Sequence, residues 1–269
     1  TGTFTASVKV LYEKLDFAFE MLEEILLRSK LTDEKRLGEI LDETMSRARM
    51  RLENSSHSSA AMRAASYYSP LSSFYDRTGG IGFYQFLEKI TERCSKEEGY
   101  RLKLGKKLME VAKTLFTASN MTVSYTADEE GYGRLPAALA AFKAVLPEGN
   151  GIRYPYEFKP ELKNEGFRTA SQVNYVARCG TFGESAYTGA LKVLKVILNY
   201  EYLWVNLRVK GGAYGCMSSF GRNGETMLVS YRDPKLGETN RVYEGIPEYL
   251  RTFSIDDRDM TKYVIGAFS

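Results

Sequence analysis

Two adjacent glycines, Gly211 and Gly212, close a run of apolar residues at helical spacing, and they constrain this 269-residue chain more than any other feature. Leu191, Leu194, Val196, Ile197, Leu198, Leu203 and Leu207 fall on one broad face, which predicts an amphipathic helix from Tyr187 to about Leu207. Glycine accepts backbone angles that other residues resist, so the pair stops the helix and turns the chain sharply. A guanidinium, Arg208, then leaves the helix end and a phenol, Tyr214, enters the next strand. A hairpin follows, with Arg222-Asn223-Gly224 at its tip. Such a bend can grip an extended chain, but it is not by itself a catalytic centre.

The remaining elements follow from period and punctuation. Residues 3–6 read as a short extended segment, and Leu11, Tyr12, Leu15, Phe19, Leu22 and Leu26 as a helix face. Thr32 is the expected N-cap of the next helix, with Asp33 and Glu34 in its first turn. The Ser- and Ala-rich stretch 54–65 reads as a helix, Pro70 with Gly79-Gly80 as a loop, and 83–90 and 100–116 as helices. Met121 to Thr126 alternates as a strand does, and Asp128 to Gly133 reads as a turn before a helix opened by Pro136. Pro147 to Pro160 is the most linker-like stretch, Phe167 to Cys179 the strongest strand, and Leu236–Phe253 and 256–269 two closing helices. Long helices on one face of mainly antiparallel sheet predict an α+β class. The expected domains are residues 1–118, helix-rich, and residues 119–269; no fixed-period repeat is visible.

Composition excludes several function classes. Charged residues make up 26% and the net charge is only +3, spread over both halves, so nucleic-acid binding has little electrostatic support. No apolar run reaches the ~18–20 residues of a spanning helix. Cys94, Cys179 and Cys216 are far apart and odd in number, which argues for buried thiols in a reducing compartment over a disulfide framework. His57 is the single histidine. A Ser-His-Asp triad on it is conceivable, but serines and acids surround any histidine by chance, and a packing role is preferred. One histidine and three dispersed cysteines do not make a zinc site, and neither HExxH nor HxxEH occurs. Lys210-Gly211-Gly212-Ala213-Tyr214-Gly215 follows a helix and lacks the order of a phosphate loop. The absence of Met at the start and the helical pattern at the end suggest a piece of a longer polypeptide.

From Leu207 to Gly215 the chain resembles the insulinase/pitrilysin family of inverted-zincin metallopeptidases, in its presequence-protease branch. Ser56-His57-Ser58 through Ala61-Met62-Arg63-Ala64, Leu71 through Thr78-Gly79-Gly80-Ile81, and Gln172 through Arg178 agree in order and spacing. The resemblance implies a C-terminal half built of two related α/β-sandwich domains, the first incomplete and the second truncated at its end. It implies zinc bound by HxxEH in an N-terminal half absent here, with no metal in this chain. Its partners would be that N-terminal half and short unstructured peptides, with no nucleic acid and no membrane. By motif, Arg208 and Tyr214 would complete the active site when the halves close, with Gly211 and Gly212 forming the loop between them. The implied compartment is a bacterial cytoplasm, with an organelle matrix as the alternative. The runner-up function is a non-catalytic, peptide-holding relative on the same fold.

Overall fold

The computed structural model describes residues 2–149 and 156–268, so the middle of the linker expected over 147–160 lies outside the described residues. The chain is mixed helix and antiparallel sheet. It folds as two compact units, Thr1–Thr44 with Glu88–Glu157, and Met45–Leu87 with Phe158–Ser269.

The first unit is helical among its described residues. Helix α1 (Leu15–Leu27) buries Leu15 and Ala18, and the Phe19 ring meets Phe142 at 5.2 Å between centroids. Helix α2 (Glu34–Asn54) starts one residue later than expected: Asp33, not Thr32, caps it, because the Asp33 carboxylate accepts the Arg36 N–H at 2.9 Å. Residues 121–126 form no strand. They find no partner strand, and the Tyr125 hydroxyl instead donates to the Gly131 carbonyl at 3.1 Å.

The turn expected at 128–133 is helix as well. Asp128 accepts the Gly131 N–H at 2.8 Å and caps a helix that runs from Glu129 to Val145, with Pro136 inside it. The cap and two acids in the first turn outweigh the missing proline N–H. Because Gly131 has no Cβ, the Tyr12 ring can lie directly against it.

The second unit holds the sheet, in the order β1-β3-β2 with both pairings antiparallel. Strand β1 (Ala177–Thr181) is far shorter than the segment 167–179 read from the sequence. Upstream of it only Asn174 bridges, to Asp233, because β3 ends at Tyr231 and offers no further ladder. Strands β2 (Gly215–Phe220) and β3 (Glu225–Tyr231) form the hairpin, with Gly224 at φ 77° in its turn.

Side chains alternate across β3. On one face Leu228 joins the core of Val176, Leu203, Leu207, Ala213 and Tyr243. These come from the long helix and from α9 (Leu236–Thr252). On the other face lies α3 (Ser56–Ala65): the Cys179 thiol donates to the Ala61 carbonyl at 3.4 Å, and His57 meets Tyr231. Helices therefore cover both faces, which corrects the one-faced arrangement. Small residues, Ala60 and Ala61 among them, let α3 lie close to the strands.

Residues 70–79, expected as loop, form helix α4. Ser69 accepts the Ser72 N–H, and Pro70 occupies the first helical position, where its missing donor costs nothing. Asp76 in that helix is 2% exposed and pairs with Arg63 at 2.7 Å. Helices α5 (Ile81–Lys96), α6 (Tyr100–Leu115) and α10 (Asp257–Phe268) match their sequence periods. α5 runs from the second unit into the first.

Candidate functional site

The helix that leads to the site changes character on the way. It begins as α8 (Ala190–Ile197) and continues from Leu198 to Val209 as a π-helix, ending with Lys210 donating to the Val205 carbonyl at 3.0 Å. The apolar face persists, since Leu198, Leu203 and Leu207 are nearly inaccessible. The wider turn sets Arg208 against the Trp204 ring, 4.5 Å from its centroid. Segments of this kind are rare and often stand at functional sites.

Ala213 then donates to the Leu207 carbonyl at 2.9 Å and Gly212 to the Arg208 carbonyl at 3.0 Å. This is the bond pair of a Schellman close, with Leu207 and Ala213 supplying its hydrophobic contact. Each glycine has its own reason. Gly212 sits at φ 84°, which L side chains resist, and a Cβ on Gly211 would fall 2.5 Å from the Leu207 carbonyl oxygen.

The turn brings Arg208 and Tyr214 together. The guanidinium lies 5.1 Å from the Tyr214 ring centroid. Tyr214 is 62% exposed, and both side chains line an open cleft of about 430 Å³ with Gly212, Ala213 and Arg232. Tyr214 also donates its N–H to the Tyr231 carbonyl at 3.0 Å, which ties the start of β2 to the end of β3. Beneath it the rings of Tyr214, Tyr175 and His57 all meet Tyr231, at 5.8, 5.6 and 5.0 Å.

Arg232 was not singled out from the sequence. It places its guanidinium 5.9 Å from the Tyr214 ring and 5.5 Å from that of Tyr231. The one available signal was a basic residue just past the predicted hairpin. Nothing in one-dimensional spacing says that it returns to the Arg208 loop.

His57 forms no triad. Its ring stacks edge-on against Tyr231, its Nδ1 is buried without a hydrogen-bond partner, and no serine or carboxylate bonds it among the described residues. Packing is the role that the geometry supports. The thiols are equally unsuited to nucleophilic work. Burial pushes Cys179 up to about 12 and Cys216 up to about 11, the latter against a smaller opposing pull from Arg208.

The side chains lining the cleft, two guanidiniums and a phenol, are donors and do not suit a divalent metal. Among the described residues no group of three or more His, Cys, Asp or Glu could hold one. What the cleft can do is donate hydrogen bonds to carbonyl or carboxylate oxygens.

Comparison with known proteins identifies the setting of this cleft. Residues 1–90 match the family model of the peptidase-associated domain found in the C subfamily of insulinase-type peptidases, and residues 164–269 match the "PreP C-terminal domain". Protein HypA of Clostridium perfringens is 34% identical over 262 residues, which is 97% of this chain and 26% of that protein. Presequence protease 1, chloroplastic/mitochondrial, of Arabidopsis thaliana is 28% identical over 94% of the chain and 24% of its own length. The mitochondrial presequence protease of Saccharomyces cerevisiae is 24% identical over 95% of the chain and 27% of its length. The chain thus spans about a quarter of the length of the curated relatives it matches. With two domain models matched in order and these relatives aligned over nearly its full extent, the chain belongs to the presequence-protease subfamily of the insulinase-type peptidases, as a C-terminal piece of such a protein.

Proposed function

We infer that the chain is the non-zinc-binding part of a zinc metalloendopeptidase that encloses and degrades short unstructured peptides. The observation that carries this reading is the Arg208–Tyr214 pair, held 5.1 Å apart on an open cleft by the diglycine turn. Relatives named as presequence proteases support peptides as the substrate class. The pair of α/β-sandwich domains and their division at residues 118/119 belong to the same proposal, as does the N-terminal half of the polypeptide as partner. A bacterial cytoplasm is the proposed compartment; the bacterial relative favours it, and the organelle-directed relatives keep the matrix as the alternative. Among the described residues no helix is long and apolar enough to cross a membrane.

The roles follow from donor chemistry. Tyr214 offers one directed O–H donor, which suits the oxygen of a carbonyl under attack as charge develops there. Arg208 offers several N–H donors in a rigid plane and holds the neighbouring backbone carbonyl. Its contacts with Trp204 and Tyr214 keep the guanidinium from wandering, so less freedom is lost when substrate arrives. Strand β2 starts at the same place and pairs with β3 on one side only, so its other edge is open to an extended peptide. Zinc, held by another part of the polypeptide, supplies Lewis-acid polarisation of that carbonyl when bound. A closed chamber excludes water and strengthens each of these bonds.

The test is Tyr214→Phe in the full-length protein. Turnover should fall by about 10²- to 10³-fold, the usual loss for one such donor, while the thermal midpoint stays put. Unchanged turnover would refute the role. Peptide binding without cleavage by the wild type would move the protein to the peptide-holding, non-catalytic reading.

A further inference from the structure

Arg232 is the only non-glycine residue with positive φ among the described residues, at 48°. The neighbours on either side force this conformation. Tyr231 is pinned as the last rung of β3, paired with Gly215, and its carbonyl accepts the Tyr214 N–H. Asp233 is pinned on the other side: it exchanges backbone hydrogen bonds with Asn174 at 2.7 and 2.9 Å. Its carboxylate is 1% exposed and bonds the Lys235 N–H at 2.8 Å and the Thr239 hydroxyl at 2.5 Å. One residue must bulge between two fixed ones, and glycine or asparagine would do so with less strain. An arginine held at such a position by its surroundings points to a use for the side chain.

The side chain is directed where a use exists. Its guanidinium spans Tyr231 and Tyr214 and lines the cleft that holds Arg208. Among the described residues neither Arg208 nor Arg232 has a carboxylate within ion-pair distance, whereas Arg63, Arg93 and Arg178 all do. The acid next to it in the chain, Asp233, is buried and fully engaged. The cleft thus carries two cations with no counter-charge of its own, one of them on a strained backbone.

We propose that Arg232 is a specificity-determining residue that binds a carboxylate of the peptide, while Arg208 and Tyr214 hold its backbone. The inference rests on the peptide-cleaving reading above and deepens it. A carboxylate on Arg232 is a charge-assisted, fork-shaped interaction, and the Tyr231 and Tyr214 rings limit the orientations that the guanidinium can take. The carboxylate has two sources, an Asp or Glu side chain or the C-terminus of the peptide, and both present the same two oxygens.

The experiment uses the full-length protein as wild type, Arg232→Gly and Arg232→Lys, with two pairs of unstructured fluorogenic peptides. One pair differs by Glu against Gln beside the cleaved bond, the other by a free against an amidated C-terminus. Arg232→Gly removes the side chain and relieves the backbone, so a folding defect is not expected to obscure the result.

In the wild type, kcat/KM should favour the carboxylate member of one pair by roughly tenfold or more, and less so as salt rises. In Arg232→Gly that ratio should fall to near one, and Arg232→Lys should retain part of it. The pair that shows the effect identifies the source. A ratio unchanged in Arg232→Gly, or an equal loss on every peptide, would overturn the proposal while leaving the Tyr214 result standing. Binding by fluorescence anisotropy, run on the same pairs, separates the two readings. If no peptide is cleaved but the binding ratio collapses in Arg232→Gly, the peptidase reading fails and the carboxylate site remains.

Discussion

Individual backbone angles carry much of the energetic weight near the cleft. Gly212 at φ 84° leaves no room for an L side chain without strain, so Gly212→Ala should destabilise the protein by about 1–2 kcal/mol. Chemical denaturation would show this as a lower midpoint at unchanged slope. Away from the cleft, Asp76 is the most consequential buried charge. It accepts from Arg63 at 2.7 Å and from the Gly82 N–H at 3.2 Å, and a Cβ on Gly82 would collide with its carboxylate. Arg63 also pairs with Glu165 at 2.7 Å, so it keeps one partner if Asp76 is lost. Asp76→Ala should therefore cost about 3 kcal/mol, at the lower end for breaking a buried pair, and Asp76→Asn distinctly less. Equal costs for the two would mean that shape, rather than charge, matters there.

Among the elements, the sheet and the helices on it decide chemical access to the thiols. Burial raises all three cysteines above the ordinary thiol range, so little thiolate is present at pH 8. Iodoacetamide at that pH should label Cys179 and Cys216 far more slowly in the native protein than in urea, as peptide mass spectrometry would read. Fast native labelling of Cys179 would mean that α3 does not cover that face. The periodic helices α1, α5, α6, α9 and α10 were legible in the sequence because a one-sided apolar pattern has few other solutions. Two helices were missed for a common reason. Pro70 and Pro136 suggested a break and a start, whereas each sits in a helix whose cap lies upstream, at Ser69 and Asp128. The segment 121–126 failed in the opposite direction: it alternates as a strand does, but a strand exists only where a partner edge is available, and none is paired with it.

Each compact unit has its own buried residues, Leu135, Ala138 and Phe142 in the first and Leu198, Leu203, Leu207 and Val229 in the second. Leu203 is fully buried, and Leu203→Ala should cost about 3 kcal/mol through the cavity it leaves. Amide exchange by mass spectrometry should then accelerate across β2 and β3 more than across α1. Uniform acceleration would mean that the two units open as one. The sequence by itself determined the mixed helical and sheet class, the diglycine stop, and the six-residue separation of a guanidinium and a phenol across it, since these depend on local angles and short spacing. It also carried the family resemblance, because that resides in the same short motif. Only the tertiary structure decided that α3 covers the second face of the sheet, that His57 serves as packing, and that Arg232 joins the Arg208 cleft. Those outcomes depend on which strand edges and helix faces find each other over tens to more than a hundred residues, and no local preference in the chain encodes such a meeting.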